Sequence, residues 1–188
     1  ISIEDQRFYK HHGVDIKRTT AAVFSYVIRR GSSSFGGSTI SQQLVKNLTG
    51  NDSNTISRKV KEWFYAWVLD GTFSKDQILE AYLNIIYTGP NIYGVKEAAL
   101  YYFNCNLDDL SLAQCAFLAG INNSPNSYNP FSDNDKSEKI SKRTKTVLNK
   151  MLDLKYISKD QYDTAVSEVE NGLKFSQGNI SGNSSVYS

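Results

Sequence analysis

The stretch Ser74-Lys75-Asp76-Gln77-Ile78-Leu79-Glu80-Ala81-Tyr82-Leu83-Asn84-Ile85-Ile86 decides the fold class. It opens on a serine placed three residues before a glutamine. At that spacing each side chain satisfies a backbone amide that the first helical turn leaves unpaired. Ile78, Leu79, Tyr82, Leu83 and Ile86 then recur at the three-and-four spacing of one helix face. Working outward, Ser111 and Gln114, then Ser158 and Gln161, repeat the start signal, and Val147, Leu148, Met151 and Leu152 repeat the apolar spacing. Alternation of the β type is scarce. The chain reads as all-α, with helices predicted at 15–30, 38–49, 54–70, 75–87, 94–104, 111–122, 136–154 and 159–171. Residues 31–37, rich in glycine and serine, read as a loop, and Gly89-Pro90-Asn91 as a break.

Composition narrows the class of function. A chain of 188 residues, 40% hydrophobic and 21% charged, has the make-up of a globular domain with its own core. A net charge of +2 is too small to argue for nucleic acid, so electrostatic function must come from local clusters. No apolar run reaches the roughly 18–20 residues that span a bilayer. Nor is a secretory signal visible, since Ile1-Ser2-Ile3 runs straight into an acidic pair, and the expectation is an excised or partly ordered fragment. The expected organisation is one domain over 1–175 followed by a flexible Ser/Asn/Gly-rich linker over 176–188. Two cysteines and two adjacent histidines give no metal-ligand spacing. Cys115, inside the apolar run Leu112–Leu118, reads as core, and a disulfide to Cys105 is left open.

Three stretches carry candidate chemistry: Glu4-Asp5, then Gly37-Ser38-Thr39-Ile40-Ser41-Gln42-Gln43 with Lys46, then Arg58-Lys59-Val60-Lys61-Glu62. A carboxylate can take a proton from a sugar hydroxyl, and cations can receive a departing polyanion such as a diphosphate. Cleaving a sugar–sugar bond requires an acid on the leaving oxygen; a diphosphate leaves as a stable anion and needs only positive charge and donors. The set suits the second task better. Each element also has a plainer reading. Glu4 is by residue type a surface carboxylate, and Glu62 with Arg58 and Lys59 an ordinary ion-pair face. Ser38, Thr39, Gln42 and Gln43 are either a capped helix start or a seat for an anion on backbone amides. The pair His11-His12 is more often structural than catalytic. Thr19–Arg30, apolar bulk ending in two arginines, reads as a core helix or as a helix resting on an anionic membrane surface.

These stretches resemble, in order and over almost the whole chain, the motifs of the peptidoglycan glycosyltransferase domain of bifunctional penicillin-binding proteins and monofunctional transglycosylases (glycosyltransferase family 51). Glu4-Asp5-Gln6-Arg7-Phe8-Tyr9-Lys10-His11-His12-Gly13 is similar to its E-D-x-x-F-x-x-H-x-G opening. Gly37–Gln43 is similar to G-S-T-x-x-Q-Q, Arg58–Glu62 to R-K-x-x-E, and Ile78–Asn84 to I-L-E-x-Y-L-N. The likeness continues through Tyr102-Phe103, Leu110–Ala113 and Tyr128-Asn129-Pro130. It implies a lysozyme-like helical domain with a smaller membrane-facing lobe. It also implies an enzyme that polymerises lipid II into β-1,4-linked strands by inverting displacement of a polyprenyl diphosphate.

By resemblance Glu4 is the general base and Glu62 a second essential carboxylate. Lys46, Arg58 and Lys59 form the diphosphate clamp, with Ser38, Thr39, Gln42, Gln43, Asn84 and Tyr87 lining the substrate. Asp5, Phe8, His12 and Glu80 are supporting residues. No metal site and no required cofactor are implied, with a divalent cation (Mg or Mn) as an optional aid to the diphosphate. Implied partners are lipid II and the growing glycan, the membrane surface through 19–30, moenomycin-type phosphoglycolipid inhibitors, and a C-terminal transpeptidase domain. The implied location is the extracytoplasmic face of the plasma membrane. Two departures stand out: Asn54 replaces a usual arginine, with Lys61 as a candidate substitute, and Tyr102-Phe103-Asn104-Cys105 replaces Y-F-G-K. The alternatives are a lysozyme-like wall hydrolase or lytic transglycosylase, and a non-catalytic module binding glycan or lipid precursor.

Overall fold

The computed structural model describes residues 1–20, 37–50, 55–122, 124–132 and 134–179. Residues 21–36, which hold most of the expected membrane contact at 19–30 and of the expected loop at 31–37, lie outside these residues, as does Asn54. The chain divides into two compact units, 1–85 and 86–188, each with its own packing.

Among the described residues the first unit holds α1 (Ile40–Thr49), α2 (Ile56–Thr72) and α3 (Lys75–Ile85), with α1 packed against both others, and residues 16–20 are helical as well. Thr39 starts α1, its hydroxyl accepting from the Gln42 amide while the Gln42 side chain accepts from the Thr39 amide. Ser74 and Gln77 form the same reciprocal cap at α3. Ile40, Leu44, Ile78, Tyr82 and Phe8 fill the interior. Gly13 lets the N-terminal segment lie directly on the backbone of α2. Its φ is +75°, and a Cβ there would come within 2.2 Å of the Ala66 carbonyl oxygen.

The second unit begins with a small antiparallel pair, β1 (Tyr87–Gly89) and β2 (Ile92–Tyr93), turned through Asn91 at φ +60°. The alternation test misses these strands because three and two residues are too few to show a period. Four helices follow: α4 (Val95–Phe103), α5 (Leu112–Ile121), α6 (Ser137–Asp153) and α7 (Lys159–Glu170). Ser111 and Ser158 cap α5 and α7 as their spacing indicates. The core is aromatic: Tyr102 and Phe117 meet edge-on at 5.3 Å and Phe117 meets Phe175 at 5.0 Å, with Ile92, Phe103, Ile121 and Ile140 around them. The Tyr102 hydroxyl donates to the Thr88 carbonyl at 2.9 Å, tying α4 to the hairpin.

Two expectations are corrected here. Cys115 lies on the exposed side of α5 rather than in the core, and both cysteines are free. The seven-residue apolar run wraps round the helix, and Ala113, Ala116 and Phe117 take the buried positions. The segment from Ser176 is not free linker as far as Gly178. The amides of Ser176 and Gly178 donate to the carbonyls of Tyr102 and Tyr101, and a Cβ at Gly178 would sit 2.3 Å from the Leu100 carbonyl. Glycine is what allows chain to lie that close to the end of α4.

Candidate active site

The polar residues of the first unit converge on the start of α1. Asp5 is fully buried, and its Oδ2 accepts from the Ile40 amide at 3.0 Å and from His11 Nε2 at 2.9 Å. A carboxylate therefore already occupies the positive end of α1. The amides of Ile40 and Gln42 donate to Asp5 Oδ2 and Thr39 Oγ1. Thr39 and Gln42 serve the cap, and Thr39 also donates to the Gly13 carbonyl at 2.5 Å. The plainer reading of these two side chains holds.

Histidine roles divide differently from the expectation. His11, not His12, is the buried architectural residue. Its imidazole links Asp5 and faces the Phe8 ring edge-on, whereas the His12 side chain is 92% exposed and approaches Asp70 at 3.7 Å. The motif's histidine, three residues after Phe8, is His11, and burial of Asp5 demands a donor at that place. Phe8, fully buried, also carries the Lys75 ammonium 4.7 Å above its ring, with Lys75 paired to Asp70.

Glu4 sits beside this buried framework. Its Oε2 accepts from Gln43 Nε2 at 3.2 Å, and its backbone carbonyl accepts from Arg18. Gln43 is held at its other end, where Oε1 accepts from the Tyr82 hydroxyl at 3.0 Å. Tyr82, which apolar spacing marks only as core, is the residue sequence reasoning missed; nothing in the sequence announces the partner of its hydroxyl.

Glu62 gathers the cations. It is buried on α2, paired with Arg58 one turn earlier and with Lys59 Nζ at 2.7 Å. Lys59 Nζ also donates to Ser38 Oγ at 3.1 Å. Arg58 is itself buried, and its Nε has no hydrogen-bond partner among the described residues. An ion cluster at this depth holds only while all its members are present. Lys59, partly open to solvent, is the member best able to meet an incoming anion.

Both clusters are fastened to one six-residue segment, Ser38–Gln43. Ser38 holds Lys59 at one end and Gln43 holds Glu4 at the other. Lys46 follows on α1, half-buried. Lys61 is exposed, whereas Arg58 and Glu62 are buried. Glu80 and Asn84 are exposed one turn apart on α3. Tyr87 belongs to the second unit, where it packs on Tyr93 and reaches Asn126 at 3.5 Å. Among the described residues no group of three or more His, Cys, Asp or Glu is arranged to hold a metal ion.

A family model described as Transglycosylase matches residues 1–152. The chain belongs to the transglycosylase family. Penicillin-binding protein 1A of Clostridium botulinum (strain Langeland) is 46% identical over 175 residues, covering 90% of this chain and 21% of that protein. The monofunctional glycosyltransferase of Staphylococcus epidermidis (strain RP62A) is 44% identical over 178 residues, covering 91% of this chain and 64% of that protein. A crystal structure of penicillin-binding protein 1A from Haemophilus influenzae is 32% identical, with a TM-score of 0.49 over 74% of this chain and 17% of that one. This transglycosylase domain therefore spans about a fifth of the penicillin-binding relative and under two-thirds of the monofunctional one.

Proposed function

We propose that this transglycosylase domain polymerises a lipid-linked disaccharide-pentapeptide into β-1,4 glycan in cell-wall synthesis. Glu4 takes the proton of the acceptor's 4-hydroxyl, whose oxygen bonds to the donor's anomeric carbon as the carbon–oxygen bond to the diphosphate breaks. The electron pair leaves with the diphosphate toward Lys59, with Arg58 and Lys46 adding positive charge. Attack from the face opposite the leaving group inverts the anomeric centre. The donor is already activated, so no nucleotide is required, and a divalent cation is an optional aid to the diphosphate.

The observation that carries this reading is the common anchoring of Glu4 and the Glu62–Arg58–Lys59 cluster on Ser38–Gln43. A base at one end and cations at the other suit displacement of an anion, and a hydrolase has no use for the cations. A membrane-surface setting has separate support. The exposed side of α2 carries Val60, Phe64, Tyr65, Trp67 and Val68 with Lys61 and no acidic residue, a composition suited to the headgroup region. No helix among the described residues is long and apolar enough to cross a membrane. Donor-mimicking phosphoglycolipids are expected to compete at the cationic end.

Incubation with lipid-linked precursor in detergent and, separately, with purified wall sacculi tests the assignment. Polymer from the precursor and no soluble fragments from sacculi is the expected pair of results. Release of fragments from sacculi without polymer formation would replace this reading by the hydrolase.

A further inference from the structure

We propose that Tyr82 is a positioning residue for the reaction, acting through Gln43 on Glu4; the inference rests on Glu4 being the base. A glutamine amide has two faces, one accepting and one donating. Glu4 Oε2, as a carboxylate oxygen, accepts only, so it needs the NH₂ side of Gln43 at 3.2 Å. With the amide's orientation set by Glu4, the Tyr82 hydroxyl, 3.0 Å from Gln43 Oε1, donates to the other side and holds the amide in place. Turned over, the amide would set its oxygen against the carboxylate and lose the bond to Glu4.

The arrangement has the stiffness that such a role requires. Tyr82 is 3% exposed on α3, and Gln43 lies in the first turn of α1, immediately after the Thr39–Gln42 cap. The two helices pack together, so the hydroxyl-to-amide distance is fixed by the core and not by a loop. Glu4 comes from an irregular segment pinned by Asp5 to the same helix start. One carboxylate oxygen is thus held by a donor on rigid structure, and the other is left to meet the acceptor hydroxyl. A base held this way loses less freedom on reaching the transition state.

Polymerisation of lipid-linked precursor by the intact protein, with kcat and KM measured separately, tests the relay. The variants are Tyr82→Phe, Gln43→Met, the two combined, and Glu4→Gln. Tyr82→Phe keeps the buried ring and removes only the hydroxyl, and Gln43→Met keeps length and bulk without the amide. Tyr82→Phe is expected to lower kcat about tenfold, the worth of one orienting hydrogen bond to a charged system. KM should stay within about twofold and the melting temperature within the range of ordinary conservative changes. The double variant should be no slower than Gln43→Met alone, because both remove the same device. Full kcat in Tyr82→Phe, or losses that multiply in the double variant, would overturn the relay. Glu4→Gln separates the two ideas. If it is inactive while Tyr82 and Gln43 act independently, the relay alone fails. If it polymerises normally, the base assignment fails and takes the relay with it.

Discussion

The two units of this chain are built from opposite materials. Among the described residues, the first buries Asp5, His11, Asp15, Thr39, Ser41, Gln42, Arg58 and Glu62, whereas the second buries only Thr88 and Thr144 among polar side chains and fills its core with Tyr102, Phe103, Phe117 and aliphatic residues. Apolar burial stabilises without specifying charge. Buried ions and amides contribute less to stability than they cost when one partner is lost, and they fix the place of each remaining group. On the proposed function, the first unit gives up some stability to hold side chains for chemistry, and the second supplies an ordinary core.

Breaking the framework of the first unit should have the largest effect. Gly13→Ala demands a strained φ and drives a methyl group into the Ala66 carbonyl. A loss of about 3–5 kcal/mol is expected in denaturant unfolding. Next comes Glu62→Ala, which leaves Arg58 buried without its counter-charge and should cost about 3–5 kcal/mol, with polymerisation lost. Pairing it with Arg58→Met sharpens the comparison. Stability should return toward the parent while activity stays absent, and recovery of both would mean that the ion cluster is scaffolding only.

The second unit should respond to milder, purely structural changes. Tyr102→Phe removes the bond to the Thr88 carbonyl and should cost about 1 kcal/mol. Burial, with smaller contributions from Tyr101 and Tyr87, pushes the Tyr102 phenol well above the usual tyrosine range. The folded protein therefore keeps a proton that the unfolded chain gives up. This contribution is complete below about pH 10 and falls away as pH rises beyond it. Stability measured across that alkaline window should decline less steeply in Tyr102→Phe. Of similar size is Ser111→Ala, where loss of the N-cap on α5 and of the hydroxyl's bond to Glu168 at 2.7 Å should cost about 1 kcal/mol by thermal melting and leave the reaction rate unchanged.

How much of this was legible in the sequence follows the same division. The capped starts at Ser74, Ser111 and Ser158 are local events spanning four residues, and local spacing revealed them. The meaning of Thr39–Gln43 was not legible, because Asp5, which fills the positive end of α1, lies 35 residues from Ile40. The role of Tyr82 hangs on a contact 39 residues away, and apolar spacing could say only that its ring is inside. His11 is legible from the motif, which sets its histidine three residues after Phe8; the expectation for His12 is one residue out of register, and burial of His11 beside Asp5 shows it. Motif resemblance supplied candidate residues; only the packed structure distinguishes those that hold the framework from those that face the reaction.

The most direct measurement is the polymerisation rate of Glu4→Gln on lipid-linked precursor, taken beside its melting curve. The change keeps the shape of the side chain and its contact distance to Gln43, and it removes only the proton-accepting charge. The expected result is an unaltered melting transition with polymer formation reduced by at least about 100-fold. Parent-level polymer from a folded Glu4→Gln protein would contradict the account.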